Sequence, residues 1–236
     1  MAGGIIGLVA GAAMDTAQAK KQLAEAKKGK TKEQKAVIDF FASDYGGSGC
    51  GCLGKNTRIM SMDEYQRQVG ERCNSLNLRK RAIEKIGLDE SEISEISPIC
   101  LSSYKFDDDT WIKVENGAAV SSQYCVSWIF FSSTQMYTYS YQFDMTSDNT
   151  WENTKDFFYQ DITCFATENK VVENIQPETG KGCLSKETIY KQNYVVDTLK
   201  ITVPGTSYSI SMRDAGAQAQ SIQAAKAMLR ERKFIK

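Results

Sequence analysis

Tyr124-Cys125-Val126-Ser127-Trp128-Ile129-Phe130-Phe131 and, after the polar stretch Ser132-Ser133-Thr134-Gln135, Tyr137-Thr138-Tyr139-Ser140-Tyr141-Gln142-Phe143 alternate two sets of side chains. One set is large and aromatic or β-branched, the other mostly small or polar. A period of two is the pattern of a β-strand, whose successive side chains point to opposite faces. Two such runs joined by a short polar stretch predict a β-hairpin, and this hairpin decides the fold.

Downstream of it, Phe157 to Phe165, Ile189 to Val203 and Tyr208 to Met212 read as further strands, with Pro204-Gly205 as the turn between the last two. Asp214 is placed to cap a final helix. In that helix Ala215, Ala219, Ile222, Ala225 and Leu229 fall at three- and four-residue steps, with Lys226, Arg230, Arg232 and Lys233 late enough to complement its dipole. The narrow apolar stripe predicts a helix lying as a lid on the sheet.

Upstream of Pro98 the period becomes helical. Ser61 and Glu64 form a capping-box pattern, and Tyr65, Val69, Cys73, Leu76 and Ile83 then recur along one face, which predicts a helix from Met62 to Ile86 with a break near Asn77. An earlier helical stretch, Ile5 to Phe41, carries Leu23, Ala26, Val37, Ile38 and Phe41 as apolar positions and is interrupted at Gly29. The expected class is therefore α+β: N-terminal helices, then an antiparallel sheet or partly open barrel closed by a C-terminal amphipathic helix. By composition the chain divides into residues 1–43, a Gly/Cys loop over 44–60, a helical segment over 61–95 and a β domain over 96–236, the last expected to fold by itself.

The order of hairpin, further strands and closing helix resembles bacterial pleckstrin-homology-like (PH-like) domains over about residues 96–236. Phe157-Phe158-Tyr159-Gln160-Asp161-Ile162-Thr163 is similar to their mid-domain strand, and Leu199 to Met212 is similar to their last hairpin. The resemblance implies a binding or scaffolding module, although a fold does not fix a function. In phosphoinositide-binding members cations near the first hairpin clamp the phosphates, whereas here no Lys or Arg stands between Lys113 and Lys155, which argues against such a pocket in the usual place.

Composition removes several function classes. The chain of 236 residues contains no histidine, so Ser-His-Asp triads, Cys-His pairs and histidine-ligated metal centres are excluded. An enzyme would have to rest on carboxylates such as Asp144, Asp161 and Glu168, and no catalytic constellation is evident. Twenty-nine basic residues balance 29 acidic ones, so no nucleic-acid partner is expected. Seven cysteines, an odd number, fit free thiols in a reducing cytoplasm better than a disulfide framework.

Four short constellations remain. Gly49-Cys50-Gly51-Cys52-Leu53-Gly54 matches a dinucleotide fingerprint by letters only, since no strand precedes it and no helix N-terminus follows. Cys50 and Cys52 with Cys73 and Cys100 would make an all-thiolate zinc set, but one Cys-x-Cys lacks the spacing of paired knuckles, and no metal or cofactor is expected. Acylation of the loop thiols is a third reading. Asp107-Asp108-Asp109 reads as a turn, because an EF-hand needs spaced oxygens and a bending glycine.

The fourth constellation is N-terminal. Gly3, Gly7 and Gly11 share a helix face, and the segment from Lys20 to Lys35, including Lys21, Lys27 and Lys28, is the one basic cluster. The apolar run from Gly3 to Met14 has its positive charge after it, unlike a secretory leader, and as a helix spans only about 18 Å of the roughly 30 Å of hydrocarbon in a bilayer. The expectation is thus a non-enzymatic binding or scaffold protein in the cytoplasm, acting on a protein partner or on itself. The alternative is a peripheral protein at the inner membrane face, anchored on anionic lipid by that N-terminus.

Overall fold

The computed structural model describes residues 16–43, 59–89, 93, 97–107, 109–178, 188–213 and 215–232. Four helices precede the strands: α1 (Thr16–Ala26), α2 (Lys32–Ala42), α3 (Met62–Ser75) and α4 (Leu78–Ile86). Gly29, at φ 71°, supplies the left-handed turn between α1 and α2. Thr31 then opens α2 with a capping box: its hydroxyl accepts from the Gln34 amide at 3.2 Å, while the Gln34 side chain accepts from the Thr31 amide at 3.0 Å. Ser61 caps α3 as expected. The break at Asn77 is also real, since this residue adopts φ 45° and separates α3 from α4.

The first sheet contains β1 (Ile99–Lys105), β4 (Gln123–Phe131), β5 (Gln135–Asp144) and β6 (Thr150–Phe158) in the order β1-β4-β5-β6, antiparallel throughout. A small hairpin of β2 (Ile112–Glu115) and β3 (Ala118–Ser121) stands between β1 and β4. Its two-residue loop, Asn116 and Gly117, has φ 51° and 80°, the positive pair that matches the twist of the flanking strands. The second sheet is β7 (Cys164–Glu178), β8 (Thr188–Val203) and β9 (Thr206–Met212), in that order. Only Asp197–Val203 pair with β9, so β7 and β8 continue beyond it as a two-stranded ribbon. The sheets do not close into a barrel; the Arg213 amide donates to the Ser102 carbonyl at 2.8 Å where they approach. Helix α5 (Ala215–Arg232) ends the fold, which is α+β.

Both faces of the first sheet are covered. On one, Tyr104, Tyr124, Val126, Phe130, Tyr139, Tyr141 and Phe143 share an apolar cluster with Val37, Phe40 and Phe41 of α2, Tyr65 and Val69 of α3, and Leu78 and Ala82 of α4. The Tyr65 hydroxyl reaches through it to the Ser121 carbonyl at 2.6 Å. On the other, Ile99, Leu101, Ile129, Phe131, Met136 and Phe157 meet Leu199, Ile201 and Met212 of the second sheet and Ile222, Ala225, Met228 and Leu229 of α5.

Two expectations change. Phe157 to Phe165 is not one strand: β6 stops at Phe158, Tyr159–Asp161 form a single 3-10 turn, and β7 starts at Cys164. Buried Tyr159 anchors this corner by donating its hydroxyl to the Ser132 carbonyl at 2.7 Å, and the chain there passes from one sheet to the other. In α5, Ala219 is exposed and Met228 is buried, because the helix leans on the sheet mainly through its second half. The cap proposed at Asp214 lies outside the described residues.

Candidate functional site

Pairing register places the site. On the face turned to the second sheet, rows of side chains run across β4, β5 and β6. The row nearest α5 is Phe131, Met136 and Phe157, and the next is Ile129, Thr138 and Lys155. Then come Ser127, Ser140 and Asn153, and finally Cys125, Gln142 and Trp151. The face therefore changes from apolar to polar along the strands. Sheets that pack face to face interdigitate apolar side chains, so the polar rows mark where the two sheets cease to pack.

A cleft of about 570 Å³ opens there. Its floor is Cys125, Ser127, Thr138, Ser140, Gln142 and Asn153, its far wall Ile201 and the β9 segment Tyr208 to Ser211, and Trp151 stands half exposed at its side. Phe157 and Tyr208 meet edge to face at 5.3 Å toward the apolar end. Lys155 and Lys105 also line the cleft, and among the described residues no Asp or Glu does. The Lys155 ammonium lies 3.7 Å from the centre of the Tyr208 ring, whereas Lys105 is paired with Asp107 at 3.4 Å.

The floor is partly self-satisfied. Ser127 and Ser140 share a hydrogen bond of 2.7 Å, and Gln142 donates to Gln123 at 2.6 Å. A bonded hydroxyl pair supplies one internal donor and retains a second proton and free lone pairs, so capacity for a ligand persists. Burial pushes the Cys125 thiol up, which disfavours the thiolate.

The residues singled out by sequence are scattered. Gly3, Gly7, Gly11, Cys50 and Cys52 lie outside the described residues. Lys20 and Lys21 belong to α1; Lys27 is ion-paired with Asp39, and Lys28 lies 3.8 Å from Glu25. Cys73 and Cys100 are half-buried thiols raised to about 11, chiefly by burial. Among the described residues no group of three Cys, Asp or Glu side chains is arranged to hold a metal. Asp144 accepts from the Thr146 amide and hydroxyl, each at 2.7 Å, and so shapes the turn after β5. Glu168 is bound to Lys200 at 3.0 Å and Asp161 is exposed in the 3-10 turn, so these carboxylates serve separate local structures.

The cleft residues were not singled out by sequence. Ser127, Ser140 and Gln142 belong there to the mostly small or polar set of the hairpin, and nothing local tells a polar cleft floor from a polar outer face. Their only signal was that the same side also carries Ile129 and Phe131. No family model matches the chain, and neither does a curated protein or a solved structure.

Proposed function

We propose that the chain is a non-enzymatic binding protein of PH-like build whose ligand occupies the cleft between its two sheets. What supports the PH-like reading is the succession of a four-stranded sheet, a three-stranded sheet and a closing helix, with β2 and β3 as an inserted hairpin. The observation that carries the binding reading is the polar floor itself. Ser, Thr, Asn and Gln side chains line this open cleft and keep donor and acceptor capacity beyond their internal bonds, which a bound polar molecule can engage. Free thiols at Cys73, Cys100, Cys125 and Cys164 suit a reducing cytoplasm, and no helix among the described residues is long and apolar enough to cross a membrane.

The test is to fill the cleft. Ser140→Leu puts an apolar branch on the floor, and compounds from a mixed metabolite set that bind the wild-type chain by ligand-observed NMR should no longer bind the variant. Binding that survives the filled floor would sink the reading.

A second reading, protein contact or self-association, is favoured by β6. It is the outer strand of its sheet, paired on one side only among the described residues, and Trp151 and Phe158 are exposed along it. Light scattering across a concentration series checks it: wild type should associate and Phe158→Asp should not.

A further inference from the structure

We infer that the cleft selects a small organic anion with a hydroxylated body, its carboxylate or phosphate held at Lys155; this rests on the binding reading above. Among the described residues the cleft lining holds two cations and no anion, and with Lys105 paired to Asp107 it is Lys155 that favours a negative ligand. The two lysines do not act as one clamp. Lys105 is on β1 and Lys155 on β6, at opposite edges of a four-stranded sheet, which separates their strands by about 14 Å at the usual strand spacing. Lys105 moreover has Asp107 as its counter-ion, while among the described residues Lys155 has no carboxylate partner and only the Tyr208 ring beside it.

Lys155 also stands at the junction of the two chemistries of the floor. Behind it lie Phe157 and Tyr208, which exclude water on the apolar side. Ahead of it on the same face is the row Asn153, Ser140 and Ser127, an amide and two hydroxyls in register. A molecule with an anionic oxygen at Lys155 would lay its body over that row, its hydroxyls matched by groups that both donate and accept. The far wall of Ile201 and Ile210 would cover the apolar side of the same body. A volume of about 570 Å³ falls within the range of small-molecule sites.

The experiment is an amide NMR titration of the full chain with four probes: glucose 6-phosphate, gluconate, glucose and inorganic phosphate. The expected result is that glucose 6-phosphate or gluconate shifts the resonances of Ser127, Ser140, Asn153 and Lys155, and binds at least about tenfold tighter than glucose, as a charge-assisted bond requires. Phosphate alone should move Lys155 and little else. Lys155→Gln should weaken the organic anion by about tenfold or more, Lys155→Arg should retain it, and Lys105→Gln should change it less than about twofold. Melting curves of the three variants show whether each is folded. Equal binding of glucose and its phosphate, full affinity in folded Lys155→Gln, or no shift with any probe would overturn the inference. Binding lost in Ser140→Leu but unchanged in Lys155→Gln would keep the cleft as a ligand site and refute its anion specificity.

Discussion

Glu152 shows how one carboxylate ties the helical layer to the sheet. It accepts from Arg81 of α4 through two bonds of 2.9 and 3.0 Å and from the Tyr139 hydroxyl at 2.7 Å, and Lys85 lies 3.7 Å away. Arg81 also sits 4.9 Å over the Tyr141 ring. Hydrogen bonding by Arg81, foremost, holds the Glu152 carboxyl down to about 2, below the usual carboxylate range near ~4.3. Because the folded state lowers this pKa, its stabilisation is complete above the unfolded value and disappears as pH falls through about 2. Arg81 is about half exposed, so solvent screening limits the contribution to about 1 to 2 kcal/mol. The expected outcome is that Glu152→Gln lowers the urea midpoint at pH 7, and that the gap to wild type closes steadily between about pH 4 and pH 2. A gap independent of pH would show that the charge plays no part.

At the scale of elements, α5 is tested by contrast along its length. Leu229 and Met228 are buried among Leu199, Ile201 and Met136, whereas Ala219 and Arg230 are exposed. Leu229→Ala should cost about 2 to 5 kcal/mol, through lost transfer energy and the cavity left behind. Arg230→Ala should cost under about 0.5 kcal/mol, and denaturant titration of both measures the difference. Equal small shifts would mean that the helix is not packed on the sheets. The sequence revealed the elements whose cause is local: the cap Ser61 acts within three residues, and the β4–β5 hairpin writes its period in adjacent side chains. Asn116-Gly117 was equally local, a two-residue hairpin signal that announced β2 and β3 and went unread. What sequence could not show was set by distant contacts. The corner at Tyr159 depends on the Ser132 carbonyl, and the exposure of Ala219 depends on how α5 meets the sheets. The candidate site falls in the same class, since its polar rows acquire meaning only through the second sheet.

For the whole molecule, composition divides the chain near residue 96, but the core does not divide there. The aromatic face of the first sheet is roofed by α2, α3 and α4, with Phe40 stacked on Tyr65 at 4.9 Å and Tyr65 on Tyr104 at 6.3 Å, so one run of rings crosses the boundary. Gln34 of α2 donates to Asp148 beyond β5 at 2.9 Å, and Arg72 of α3 donates to the Asp144 carbonyl at 2.9 Å over the Phe143 ring. A fragment of residues 96–236 would therefore expose Tyr104, Tyr124, Val126, Phe130, Tyr139, Tyr141 and Phe143 together, a far larger apolar patch than soluble monomers tolerate. Burial of such side chains contributes about 1.5 to 3 kcal/mol each relative to exposure, and removing several at once exceeds the roughly 5 to 15 kcal/mol that holds a domain folded. The expected outcome is that the fragment aggregates or binds a hydrophobic dye, and that adding residues 16–95 as a separate chain restores a soluble complex. Sedimentation velocity with dye fluorescence measures both. A monomeric fragment with a cooperative urea transition would mean that the helices are an appendage and that the second sheet and α5 alone sustain the fold.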